Sequence, residues 1–117
     1  MKFDEKDVRR ALNKSWSSQT ARQWTKNRPF EGQCNVTAAA IQELFDGDIL
    51  KTPWNEQTDH YYNRIGGEVF DLTDDQFDTP IFYANALSST EEASQGFTEI
   101  EYDTLKQALL RNLGNAQ

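Results

Sequence analysis

From Cys34 onward the apolar positions Val36, Ala40, Ile41, Leu44 and Phe45 fall on one face of a helix, and Gly47 stands where such a helix stops. The runs that follow change period. Ile49 to Thr52, closed by Pro53, reads as a short strand, and His60 to Ile65 turns through Gly66-Gly67 into Glu68 to Leu72 as a tight hairpin. A helix handing over directly to antiparallel strands confines the chain to an α+β class, in which helices flank a small antiparallel sheet.

The remaining segments fit that frame. Asp4 caps a first helix that Asp7, Val8 and Leu12 carry to about Ser15, with Phe3 and Val8 set for a hydrophobic staple. A shorter helical piece is expected over 18–24, then an irregular stretch over 25–33 that holds Pro29 and Gly32. The acidic run 74–78 reads as one helical turn, Ile81 to Tyr83 as an edge strand after Pro80, and Ser89 with Glu92 as the capping box of a short helix that Gly96 stops. A last helix is expected over 102–113, burying Tyr102, Leu105, Leu109 and Leu113 before Gly114. No repeat, low-complexity tract or linker interrupts the 117 residues, so one domain over 1–117 is expected. A globule of that size buries roughly 65% of its unfolded surface.

Charge narrows the function classes. Nineteen acidic against 12 basic side chains give a net charge of −7, which repels phosphate backbones and anionic lipid surfaces, so neither nucleic acid nor membrane is an expected partner. No apolar run has signal-peptide or membrane-spanning length, and a lone cysteine cannot close an intrachain disulfide. A cytoplasmic location is the expectation. The cluster Asp71, Asp74, Asp75 and Asp78 lacks the alternating order of a calcium loop, one Cys and one His are too few for zinc, and no metal or other cofactor is expected. Trp16, Trp24 and Trp54 are expected as core anchors.

Cys34 is the only cysteine, His60 the only histidine, and the cysteine opens the strongest helix. A helix N-terminus and a nearby imidazolium both stabilise a thiolate, the nucleophilic form of the thiol. In a hairpin turning on Gly66-Gly67, Ile65 faces Glu68, Tyr62 faces Asp71 and His60 faces Thr73. That register puts His60 and Asp71 on one face as diagonal neighbours and sends Asn63 to the other. Gln33 brings a side-chain amide which, with the Cys34 N–H, could hold an oxyanion. The competing structural reading is a packed thiol, a solitary imidazole, and an Asp71 that caps the turn at Thr73 to Gln76.

Nucleophile at a helix start, then histidine on one strand, then carboxylate on the next is the order that resembles papain-like and transglutaminase-like cysteine enzymes. A closer resemblance is carried by Trp16-Ser17, Gly32-Gln33-Cys34-Asn35-Val36-Thr37-Ala38, His60-Tyr61-Tyr62-Asn63-Arg64-Ile65, Asp71-Leu72-Thr73 and Gln76-Phe77. These strings resemble the bacterial YunG-like family of small proteins. This second resemblance lends weight to Cys34, His60 and Asp71 without naming a substrate, whereas the papain-like core is what the first resemblance implies. Three functions compete: a cysteine-dependent hydrolase or acyl transferase acting on a peptide, amide or thioester; an acidic inhibitor or immunity-type module that captures a basic protein; and a relative that has lost catalysis.

Overall fold

A computed structural model describes residues 1–114. The chain forms α1 (Glu5–Ser15), α2 (Cys34–Phe45), β1 (Asp48–Pro53), β2 (Asp59–Ile65), β3 (Glu68–Phe70), β4 (Ala86–Leu87), α3 (Thr90–Ala93) and α4 (Glu99–Gly114), with short 3₁₀ turns at Asp74–Gln76 and Ser94–Gly96. The four strands make one antiparallel sheet in the order β3-β2-β1-β4. The α+β class expected from the change of period is therefore the one observed.

The helix α2 lies at the centre. One side of it packs Val36, Ala40, Ile41 and Phe45 against Val8, Leu12 and Trp16 of the α1 segment and Leu105 and Leu109 of α4. Another side sets Ala38 against Ile49, Tyr61 and Ala93, toward the sheet and α3. The three consecutive alanines 38–40 are each at most 1% exposed, so small side chains let neighbours approach α2 from several directions. Each fully buried leucine or isoleucine in this arrangement contributes about 1.5–3 kcal/mol. Trp16 also ties α1 to α2 by donating its indole N–H to Thr37 Oγ1 at 2.9 Å.

Local signals explain most of the ends. Asp4 caps α1 by accepting from the Asp7 N–H at 3.1 Å, and Ser89 caps α3 by accepting from the Glu92 N–H at 3.1 Å. After α2 the chain turns through Asp46 and Gly47, both at positive φ (65° and 88°). A Cβ on Gly47 would run into the Arg64 carbonyl oxygen, so only glycine lets this turn pass so close to β2.

Three expectations fail, each for a visible reason. Residues 18–24 form turns rather than a helix. There the Ser17 and Thr20 hydroxyls take up backbone groups that a helix would need: Ser17 N–H donates to Thr20 Oγ1, and Gln19 N–H to Ser17 Oγ. Ile81 to Tyr83 is not a strand, and the edge pairing to β1 is made by Ala86 and Leu87 instead. Side chains hold the 78–85 segment, with Thr52 Oγ1 donating to the Phe82 carbonyl and Tyr62 Oη to Asn85 Oδ1. Finally, α4 starts at Glu99 because Thr98 and Glu101 form a reciprocal capping box, at 2.8 and 3.1 Å.

Candidate functional site

The hairpin has the register that its glycine turn implies. Ile65 pairs with Glu68, Arg64 with Val69 and Asn63 with Phe70, so the ladder extends toward Tyr62 opposite Asp71. His60 and Asp71 consequently share a face, and His60 Nε2 meets Asp71 Oδ2 at 2.7 Å. Both are buried, at 2% and 8% exposure. Asn63 points the other way and donates to the Ala38 carbonyl of α2 at 3.0 Å.

Asp71 does both jobs that competed in the sequence. Its Oδ2 takes His60, while its Oδ1 accepts from the Thr73 N–H and hydroxyl, both at 3.3 Å, which caps the turn that follows. Two further residues, neither expected, fix it. Tyr83 donates its hydroxyl to Oδ2 at 2.6 Å, and Arg9 of α1 donates to the Asp71 backbone carbonyl at 3.0 Å while pairing with Asp74 at 3.0 Å. Nothing in the spacing around Tyr83 could have signalled this, since it sits in an irregular segment whose path depends on contacts with Thr52 and Tyr62. Arg9 was hidden differently, because a charged residue on a helix surface reads as solvated.

Burial, the largest influence on His60, disfavours its charged form. The hydrogen bond to Asp71, followed by the interaction with Cys34, outweighs it and raises the His60 pKa from 6.5 to about 9. The imidazole is therefore charged at neutral pH and bonded to the carboxylate through Nε2, with Cys34 near enough to influence it although the thiol's own hydrogen bond goes to Asn35. Cys34 is the first residue of α2 and half-buried, so its own N–H has no intrahelical acceptor and its sulfur is not sealed in the core. Its S–H donates to Asn35 Oδ1 at 3.3 Å, and the Asn35 amide is held in turn by the Ala93 carbonyl at 3.0 Å.

Gln33 occupies the N-cap of α2 and is fully buried. Its Oε1 accepts from Thr20 Oγ1 at 2.8 Å, whereas its Nε2 has no partner, an unusual condition for a buried donor. Aromatic rings surround the histidine. Phe77 meets it edge-on at 4.7 Å, Tyr62 stacks at 5.9 Å, and Trp54 lies on Phe77 at 4.5 Å. Of the three tryptophans expected in the core, Trp16 is buried there and Trp24 packs against it, but Trp54 is half-exposed against Phe77. Among the described residues no set of three or more His, Cys, Asp or Glu side chains is grouped to hold a metal ion.

Fold and site together define a small α+β protein with a buried histidine and carboxylate pair and a cysteine at the start of its central helix. A family profile described as "YunG protein" matches residues 4–114. The chain is also 42% identical over 108 residues to the "Uncharacterized protein YunG" of Bacillus subtilis (strain 168), covering 92% of this chain and 93% of that relative. The chain belongs to the YunG family. No solved structure matches it, so the expected papain-like core and the relationship to papain-like or transglutaminase-like enzymes find no support beyond the α+β class. No helix among the described residues is long and apolar enough to cross a membrane.

Proposed function

We propose that this protein is a cysteine-dependent hydrolase or acyl transferase acting on an amide or thioester, with Cys34 as nucleophile, His60 as its acid and base, and Asp71 holding the imidazole. One observation carries the reading. A half-buried thiol opens a helix within electrostatic reach of a buried imidazole, and that imidazole is bound at 2.7 Å to a carboxylate through Nε2. Because Asp71 occupies Nε2, Nδ1 is the nitrogen left for the sulfur, and a charged His60 at neutral pH favours the thiolate beside it.

The reaction balances without a cofactor. The thiolate attacks the carbonyl carbon, and the C–N or C–S bond breaks as the imidazolium gives its proton to the leaving amine or thiol. The neutral imidazole then takes a proton from water or an acceptor amine, which attacks the thioester and frees Cys34. The Cys34 N–H and the unpartnered Gln33 Nε2 are the donors at hand for the oxyanion. This is the same division of labour as in papain-like enzymes.

The test is covalent. An activated thioester offered to the purified protein should leave one acyl group on Cys34 by intact-mass spectrometry, and no adduct on Cys34→Ala. His60→Ala should slow acylation about 100-fold or more. Acylation at equal rates in the wild type and His60→Ala would remove the proposed role of the imidazole. Failure of the wild type to form any adduct would remove the nucleophile.

A further inference from the structure

Three residues, His60, Thr73 and Tyr83, donate to the Asp71 side chain, and one of them belongs to a segment that the reaction outlined above does not use. Tyr83 Oη reaches Asp71 Oδ2 at 2.6 Å, the same oxygen that His60 Nε2 meets at 2.7 Å. The phenol is placed with some care. Its ring packs edge-on against Tyr62 at 5.0 Å, and its chain neighbours Phe82 and Ala84 are both bonded to Thr52 Oγ1, at 3.0 and 2.9 Å. We infer that Tyr83 is a positioning residue which, by sharing one Asp71 oxygen with His60, sets how tightly the carboxylate holds the imidazolium.

A hydrogen bond donated to a carboxylate oxygen draws negative charge toward the phenol and leaves less of it for the imidazolium on the same atom. Burial, and then the bond to Asp71, push the Tyr83 pKa well above its ordinary value, so the phenol stays protonated and keeps donating across the working range of pH. The other groups facing this centre are Cys34 of α2, Tyr62 of β2, Asp74 of the 3₁₀ turn, and Arg9 of α1, which is occupied by Asp74 and the Asp71 carbonyl. None of these donates to the oxygen that His60 uses; among the described residues Tyr83 alone shares it. An imidazolium held too tightly is a poor acid for a leaving group, so a shared oxygen keeps the proton transferable.

That catalytic consequence rests on the reaction proposed above, whereas the effect on His60 does not. His60 is the only histidine, so its ring signals in a nitrogen-15 NMR titration are unambiguous. Tyr83→Phe keeps the ring and deletes the hydroxyl, and it should raise the His60 titration midpoint by about half a unit to one unit above the wild-type value. A more acidic fluorotyrosine placed at position 83 donates more strongly and should lower the midpoint. If Tyr83→Phe does not fold, the fluorotyrosine protein carries the test alone. A midpoint that stays put, or moves the opposite way, overturns the role of Tyr83. Moved midpoints in a protein that never forms the thioester would keep Tyr83 and remove the reaction, whereas a thioester with unmoved midpoints would do the reverse.

Discussion

Asp71→Ala should lower the folding stability at pH 6 by about 3–5 kcal/mol, a large part of the roughly 5–15 kcal/mol that a small protein has to lose. The carboxylate is 8% exposed and accepts from His60, Tyr83 and twice from Thr73, so its removal strands several buried donors at once. The largest part of the cost is the imidazolium. At pH 6 His60 would have to stay charged without a counter-charge or give up its proton, and either course is unfavourable. Above pH 9 the wild-type imidazole is itself neutral, and the cost of Asp71→Ala should fall to the lost hydrogen bonds, about 1–3 kcal/mol. Urea unfolding of both proteins at the two pH values measures this. A cost that is small, or equal at both, would mean that Asp71 does not hold a charged histidine.

The wild type alone should show the same linkage. Folding raises the His60 pKa from 6.5 to about 9, so the folded state binds the proton more tightly than the unfolded chain does. The stabilisation is fully present below pH 6.5, declines as pH rises through the interval, and is gone above about 9. Each pH unit between those two values is worth roughly 1.4 kcal/mol, so the loss amounts to about 2–4 kcal/mol. His60→Gln should be nearly flat over the same interval in urea titrations. A wild-type protein that grew more stable from neutral to alkaline pH would contradict the charged imidazole.

How much of this was legible in the sequence depends on whether local spacing or distant contact sets each feature. The glycine pair 66–67 fixes a two-residue turn, a turn fixes the register, and a period of two then decides which side chains share a face, so His60 and Asp71 could be paired from spacing alone. Caps were equally local, as at Asp4 and Ser89. The Thr98 and Glu101 capping box was written in the chain as well, and reading it would have started α4 at Glu99. The path of residues 78–85 was not local. It follows the Thr52 and Tyr62 hydroxyls on the sheet, and with it went the place of Tyr83 on Asp71. The turns at 18–24 were missed because Ser17 and Thr20 compete for backbone groups only once Thr20 is also held by Gln33. Trp54 shows the limit of composition, since a large apolar ring near Pro53 reads as core but lies half-exposed against Phe77.

The sulfur and the imidazole are proposed to act as a pair, and the rate at which iodoacetamide alkylates Cys34 at pH 7 tests that directly. Removing the imidazole in His60→Ala should slow alkylation about 10-fold or more, while unfolding the two proteins in urea should make their rates equal. Equal rates in the two folded proteins would contradict the pairing.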